Sequence, residues 1–133
     1  MSGHKILIID DDQPLLVGLT ARLKANGYSV VCATDAVSAV AVARKEVPDL
    51  VILDLGLPAG DGFLVLERLR GLTDLVATPV IVLSARDPAD NKKRALDAGA
   101  VAFFQKPPDN HEFLTAIRQA LGETIALSTF LKT

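Results

Sequence analysis

The chain contains few of the residues that usually carry covalent catalysis or cross-links. Among 133 residues there are one cysteine, two histidines and no tryptophan. A single cysteine excludes an intrachain disulfide, and the apolar segment 30–33 around Cys32 predicts a small buried side chain rather than a nucleophile. His4 and His111 are too far apart in sequence to form a metal-binding motif, so we assign them no catalytic role.

An excess of basic residues is also missing. The 14 lysines and arginines are balanced by 16 aspartates and glutamates, which gives a net charge of -2. Lys92, Lys93 and Arg94 form the one basic cluster in the sequence. Three charges on one turn are typical of a solvated face rather than of a phosphate-binding patch. We therefore expect no direct binding of nucleic acid by this domain.

Long hydrophobic runs are missing as well. No apolar stretch approaches the roughly 18–20 residues that a membrane-spanning helix needs, and the first residues lead into an apolar strand without a signal-peptide pattern. The hydrophobic fraction of 50% and the charged fraction of 23% are those of an ordinary globular protein. These features predict a cytoplasmic protein without a membrane partner.

The sequence does contain five short aliphatic runs that alternate with segments of helical periodicity. Runs that are apolar throughout and are joined by helices predict a parallel sheet covered on both faces. The fold class is therefore α/β, a doubly wound five-stranded parallel sheet in a three-layer (βα)5 sandwich. The predicted strands are Lys5–Ile9, Tyr28–Ala33, Leu50–Leu53, Pro79–Leu83 and Val101–Gln105.

Three of the predicted helices carry clear signals. The first follows Asp12 and ends at the Asn26–Gly27 turn, and the last covers about 110–121. The helix predicted over Pro88–Ala98 has only Leu96 and alanines on its apolar side. We expect this helix to be weakly held and mobile relative to the rest.

Three consecutive carboxylates, Asp10, Asp11 and Asp12, follow the first predicted strand directly. Adjacent negative charges repel one another, so joint ionisation is disfavoured unless a metal ion or a basic group compensates. A structural alternative is that Asp12 caps the first helix while Asp10 and Asp11 are solvated turn residues. The polar residues at the other strand ends bear on this choice.

Asp54 follows the third predicted strand, Ser84 the fourth and Lys106 the fifth. Alone, they would be interpreted as a turn aspartate, a loop serine and a surface lysine. Because the carboxyl ends of parallel strands meet at one edge of a sheet, Asp54 joins Asp10 and Asp11 in a three-carboxylate pocket suited to Mg²⁺. Ser84 would supply a hydroxyl donor for a phosphoryl oxygen, and Lys106 a point cation.

In their order and spacing these elements resemble the receiver domain of two-component response regulators, although each motif is weak alone. The resemblance extends from about Lys5 to Leu121. It implies a flavodoxin-like fold, a receiver domain over residues 1–122, and a C-terminal extension or the start of a linker over 123–133. The matching elements are the Asp10–Asp11 pair, Asp54 with its continuation to Gly62, Ser84–Ala85 and Lys106–Pro107.

The resemblance also implies a role for each matching residue. Asp54 would be the phosphoacceptor, which attacks a phosphohistidine of a sensor histidine kinase or phosphotransfer protein. Asp11 would bind Mg²⁺ directly, Asp10 would bind it through water, and the carbonyl of Gly56 would complete the protein ligands beside Asp54. Lys106 would neutralise charge on the transferring phosphoryl group. Such a domain is a signalling module that catalyses its own phosphorylation and dephosphorylation, not an enzyme with a separate substrate.

A switch between Ser84 and Phe103 follows from the same resemblance. Ser84 would capture a phosphoryl oxygen, and the Phe103 ring would turn inward as the hydroxyl moves, with simple core packing as the alternative role of Phe103. The switched surface would act on an output domain or an effector protein. The family's lysine–proline bond is commonly cis, and Lys106–Pro107 is the corresponding bond here.

Two departures from the family pattern leave details open. Pro108 stands where a large apolar residue is commoner, which bears on how the last helix docks. The segment 99–103 lacks the acidic pair that DNA-binding members often have before the aromatic residue. Dimerisation through the fourth and fifth helices therefore stays open.

Four alternative functions fit parts of the pattern. A phosphoryl relay or sink would keep the site without switching an output surface. A phosphatase or phosphotransferase with Asp54 as covalent nucleophile would need a cap domain and an additional acid, and the chain is short of both. An interaction module without phosphorylation is disfavoured because the polar strand ends are intact. A flavodoxin-like cofactor carrier is disfavoured because no glycine-rich loop follows the first strand.

Overall fold

The computed structural model describes residues 3–58 and 60–123, and five strands in them form one sheet. The strands are β1 Lys5–Ile9, β2 Ser29–Ala33, β3 Leu50–Leu53, β4 Val80–Ser84 and β5 Ala102–Gln105. Their order in the sheet is β2-β1-β3-β4-β5. All neighbouring strands are parallel, so each connection has to cross over the sheet, and helices form these crossovers.

Each of the five helices within the described residues begins directly after an aspartate. The side chain of that aspartate accepts a hydrogen bond from a backbone N–H of the first helical turn, which would otherwise have no partner. Asp12 caps the first helix in this way, which confirms the alternative interpretation of this residue as a helix cap. The helices are α1 Gln13–Ala25, α2 Ala36–Glu46, α3 Gly62–Arg70, α4 Pro88–Asp97 and α5 Asn110–Ala120.

Alternate side chains of the strands enter two separate apolar layers. In β1, Ile6 and Ile8 join the layer that contains side chains of α1 and α5. Leu7 and Ile9 join the layer that contains side chains of α2, α3 and α4. All four side chains are completely buried, because helices cover both faces of the sheet. The three-layer α/β sandwich predicted from the sequence is confirmed.

The predicted strands are all present, with ends within one residue of those observed. The prediction that Cys32 is buried is wrong, because its side chain is exposed. β2 lies at the edge of the sheet, and within it only Ala33 is buried. An apolar run does not reveal whether a strand is central or at an edge, so the sequence pattern misled here.

Other predictions concern α4, the chain end and the membrane. Ala95 is the one buried residue of α4, and Leu96 is 39% exposed, which confirms the scarcity of apolar anchors on this helix. Most of the predicted extension, residues 124–133, lies outside the described residues. Within the described ranges no helix has both the length and the apolar character that crossing a bilayer requires.

Candidate functional site

The candidate site lies at the carboxyl ends of β1 and β3, where the strand order reverses. β2 lies on one side of β1 and β3 on the other, and open α/β sheets bind ligands in the crevice at such a point. Asp10 directly follows β1. Asp54 directly follows β3, and its backbone N–H donates to the carbonyl of Ile9 at 2.9 Å. The two carboxylates are therefore carried by adjacent strand ends.

Three carboxylates converge in this crevice. Oxygen atoms of Asp10, Asp11 and Asp54 all lie within 4.8 Å of one another. Asp10 and Asp54 are buried, with 2% and 7% of their surface exposed, whereas Asp11 is exposed to solvent. An all-oxygen donor set at the edge of solvent fits Mg²⁺, a hard ion that keeps several waters.

Lys106 provides the positive charge that faces these carboxylates. Its Nζ lies 2.7 Å from Oδ2 of Asp10 and 3.8 Å from Oδ2 of Asp54. The residue directly follows β5, its backbone N–H donates to the carbonyl of Ser84 at 2.8 Å, and the Lys106–Pro107 bond is cis, as the resemblance implied. The ammonium thus reaches the site from a third strand end.

The surroundings of Asp54 disfavour its ionisation. Burial raises the pKa of the Asp54 carboxyl above its ordinary value, and the neighbouring Asp10 carboxylate raises it further. Lys106 and a hydrogen bond from the backbone N–H of Gly56 oppose this shift without reversing it. A divalent cation beside Asp54 would favour the ionised form, which is the form that can act as a nucleophile.

Gly62 brings the start of α3 directly against the backbone that carries Asp54. A Cβ on Gly62 would lie 2.5 Å from the carbonyl oxygen of Asp54 and 2.6 Å from Cα of Leu55. Both contacts are with backbone, which cannot move aside as a flexible side chain would. Glycine is therefore required at this position, and the first turn of α3 is fixed relative to Asp54.

Ser84 and Phe103 lie on the neighbouring strands β4 and β5. Ser84 is completely buried, and its Oγ accepts a hydrogen bond from the backbone N–H of Arg86 at 3.1 Å. Phe103 is 9% exposed and belongs to the apolar layer that includes side chains of α3 and α4. This placement agrees with both roles predicted for Phe103, core packing and movement coupled to Ser84.

Sequence reasoning missed two residues near the site, Asp61 and Arg86. Oδ1 of Asp61 accepts the backbone N–H of Phe63 at 2.8 Å, and Oδ2 lies 3.8 Å from Nη1 of Arg86. An aspartate followed by glycine and an apolar helical run is a recognisable capping signal, so Asp61 could have been found. The ion pair joins two different loops, and no local pattern indicates it.

A model of the response regulator receiver domain family matches residues 6–118, which include all of these site residues. The chain belongs to this family. Receiver domains are signalling domains of two-component systems, and phosphorylation and Mg²⁺ are typical of the family. The sequence-based prediction of a receiver domain of a two-component response regulator is therefore confirmed.

Among curated proteins, the receiver domain is similar to the transcriptional regulatory protein KdpE of Mycobacterium tuberculosis. The two are 43% identical over 121 residues, which make up 91% of this chain and 52% of KdpE. The chain thus spans about half the length of the curated relatives it matches.

Two solved structures show the same fold. The CheY-like response regulator receiver domain protein of Methanospirillum hungatei JF-1 is 29% identical, with a TM-score of 0.83 over 90% of this chain and 94% of that one. The receiver domain of a sensor histidine kinase from Pseudomonas aeruginosa PAO1 is 25% identical, with a TM-score of 0.83 over 91% of this chain and 99% of that one. In the Pseudomonas structure a magnesium ion is coordinated in the active-site cleft.

Proposed function

We propose that this receiver domain accepts a phosphoryl group on Asp54 in a Mg²⁺-dependent reaction and thereby switches an output surface. The observation that carries the proposal is the position of the buried Asp54 carboxylate, within 4.8 Å of oxygen atoms of Asp10 and Asp11 and 3.8 Å from the Lys106 ammonium. An anion approaching this crevice needs the negative charge to be compensated, and a bound cation together with Lys106 provides that compensation.

The donor is the phosphohistidine of a sensor histidine kinase or of a phosphotransfer protein. A carboxylate oxygen of Asp54 attacks the phosphorus and forms a P–O bond, while the P–N bond breaks and its electron pair stays on the imidazole nitrogen. The product is an acyl phosphate on Asp54. Hydrolysis by water later releases inorganic phosphate and restores the carboxylate. Catalysis of both steps consists mainly of positioning and charge neutralisation.

The metal would be held by the carboxylate of Asp11 directly and that of Asp10 through water, together with the Asp54 carboxylate and the backbone carbonyl of Gly56. When bound, Mg²⁺ supplies Lewis-acid stabilisation of charge on the phosphoryl oxygens. Lys106 keeps its ammonium between Asp10 and Asp54, where it neutralises a phosphoryl oxygen. Ser84 donates its hydroxyl hydrogen to another phosphoryl oxygen, while its Oγ can still accept the backbone N–H of Arg86.

Output would follow from the movement of Ser84 and Phe103. The match covers only 52% of KdpE, which supports an output domain or an effector protein as the receiver of the signal. This domain itself would not contact nucleic acid, and the reaction would take place in the cytoplasm. The domain boundary at residue 122, with an extension or linker after it, belongs to the same proposal.

Intact-mass measurement after incubation with acetyl phosphate and Mg²⁺ tests this function. We expect the wild type to gain one phosphoryl group and Asp54→Asn to gain none. Asp74→Asn, which changes an exposed aspartate in the segment after α3, is the matched control and should label like the wild type. Equal labelling of Asp54→Asn would show that Asp54 is not the phosphoacceptor. Full labelling in excess chelator would show that the reaction does not need the metal.

A further inference from the structure

α4 packs on the domain with very little apolar contact. Ala95 is its one buried residue, and Leu96 is 39% exposed. Arg94 makes a polar contact with α3, because its guanidinium carbon lies 3.8 Å from the centroid of the Phe63 ring. A cation this close to an aromatic face is attracted by the ring quadrupole. Arg94 therefore replaces part of the missing apolar anchor.

A second arginine joins the same two regions of the fold. Arg86, in the loop between β4 and α4, lies with Nη1 3.8 Å from Oδ2 of Asp61. Asp61 and Phe63 stand on either side of Gly62, at the first turn of α3. Because Gly62 packs directly on the backbone of Asp54, both arginines hold the α4 region to the segment that is fixed beside the phosphoryl-acceptor site.

We propose that Arg86 and Arg94 are positioning residues that tether α4 to the first turn of α3 and oppose its displacement on phosphorylation. The inference rests on the proposed function, because it requires that a phosphoryl group at Asp54 moves the Ser84 loop. The two contacts would set how far phosphorylation shifts the equilibrium between the resting and the switched position of α4.

The tether acts because its contacts stabilise the resting conformer more than the switched conformer. Before phosphorylation the Ser84 hydroxyl is held by the N–H of Arg86 at 3.1 Å. The hydroxyl can accept this N–H and donate to a phosphoryl oxygen at the same time, so movement of Ser84 towards a phosphoryl group would carry the backbone of Arg86 with it, while the start of α3 stays with Asp54. Contacts that span these two parts are then made in the resting conformer and lost in the switched one. Only such differential contacts shift an equilibrium.

The two contacts contribute unequally. The Arg86–Asp61 pair is long at 3.8 Å, and 37% and 47% of its two side chains are exposed, so solvent and salt screen it. The Arg94–Phe63 contact uses a ring that is 6% exposed and is the stronger of the two. A cation–π contact at a partly exposed site corresponds to about a two- to fivefold change in an equilibrium constant.

Binding of beryllofluoride, a phosphoryl mimic, to the Mg²⁺-loaded domain tests the tether by NMR titration. Arg94→Gln keeps most of the stem and removes the cation, so it should bind beryllofluoride about two- to fivefold more tightly than the wild type. Arg94→Lys keeps a cation and should lie between them. Lys93→Ala is the matched control, because it removes a charge whose i,i+4 pair with Asp97 is solvent-exposed on the same helix. Its affinity should equal that of the wild type.

Amide hydrogen exchange in the free domain provides a second readout that does not depend on the site. Arg94→Gln should speed exchange in α4 while leaving α2 unchanged, and it should add little when Phe63→Leu has already removed the ring. If the wild type binds beryllofluoride and Arg94→Gln binds equally or more weakly, the tether is overturned and the proposed function stands. A wild type that binds no beryllofluoride overturns the proposed function and with it the role of the tether in switching, whereas faster α4 exchange in Arg94→Gln would then show only that Arg94 holds α4 to α3.

Discussion

Nζ of Lys106 forms a 2.7 Å ion pair with Oδ2 of Asp10, and both side chains are largely removed from solvent. Lys106 is therefore engaged mainly by Asp10, and Asp54, at 3.8 Å, receives a smaller part of its compensation. This agrees with the raised pKa of Asp54. A phosphoryl group on Asp54 would bring a new anion within reach of the same ammonium. The ion pair with Asp10 therefore keeps Lys106 close to Asp54 without fully neutralising the Asp54 carboxylate.

Replacement by alanine should affect the stability of the domain differently at the neighbouring residues Asp10 and Asp11. Asp11 is exposed, so Asp11→Ala should lower Mg²⁺ affinity by at least roughly tenfold and leave the free energy of unfolding unchanged or slightly higher. Oδ1 of Asp10 accepts the N–H of Asp12 at 3.0 Å in addition to the Lys106 contact. Asp10→Ala should therefore cost about 1–3 kcal/mol of stability.

Mg²⁺ titration and denaturant unfolding of the two variants measure these effects. A loss of stability in Asp11→Ala without a loss of metal affinity would show that Asp11 is a structural turn residue, not a metal ligand.

Asp54→Asn should raise the thermal stability of the metal-free domain at neutral pH. Burial makes the charged Asp54 carboxyl unfavourable in the folded state, and asparagine removes that charge while Lys106 keeps Asp10 as a partner. The pKa of Asp54 is raised, so the penalty is fully present above that pKa. It disappears as pH falls towards 3.8, the ordinary value for aspartate.

Thermal melts of both proteins in chelator across this pH range provide the measurement. The stability gap should close in acid, and Mg²⁺ at neutral pH should stabilise only the wild type. A gap that is independent of pH would attribute the effect to packing instead of charge.

Ser84→Ala should uncouple the site from the face formed by α4, β5 and α5. In the wild type, beryllofluoride should shift NMR resonances around Asp54 and also across that face, since the Ser84 hydroxyl transmits the change. In Ser84→Ala the distant shifts should be lost and the local ones kept. Perturbations confined to the loops around Asp10, Asp54 and Lys106 in both proteins would favour a phosphoryl relay or sink over an output switch.

Tyr28 should ionise far later than an ordinary tyrosine. Burial raises its pKa to about 12, with a further contribution from Glu123, whose Oε1 accepts the phenol O–H at 2.8 Å, while Arg118 lowers it. Tyr28 is the one tyrosine and the chain has no tryptophan, so the ultraviolet absorbance of the phenolate reports on this residue alone.

We expect a native midpoint near 12 and a lower one in Glu123→Gln. The stability that depends on neutral Tyr28 is present below about pH 10, the unfolded value, and is lost as pH rises towards 12. Alkaline unfolding of Tyr28→Phe should begin later than that of the wild type. A native midpoint near 10 would contradict the burial of Tyr28, and an unchanged midpoint in Glu123→Gln would contradict the contribution of Glu123.

Much of the fold was predictable because strands buried on both faces are continuous aliphatic runs. β1 and β3 agree with the prediction at both ends. The prediction that Cys32 is buried failed because its strand is apolar in sequence but lies at the edge of the sheet. Burial depends on the strand order, which a single run does not encode.

The convergence of Asp10, Asp54 and Lys106 was predictable because each directly follows a strand, and that of Asp11 because it comes next after Asp10. The Arg94–Phe63 and Arg86–Asp61 contacts were not, because each joins residues distant in sequence whose types are ordinary on a helix surface or in a loop. Such contacts become visible only once α3 and α4 are placed side by side.

Reductive trapping tests the central claim, phosphoryl transfer to Asp54, most directly. Borohydride reduces an aspartyl phosphate to homoserine, and peptide mass spectrometry locates that residue in the chain after incubation with acetyl phosphate. We predict homoserine at position 54 with Mg²⁺ and its near absence in excess chelator. Homoserine at another aspartate, or equal conversion of position 54 without the metal, would contradict the account.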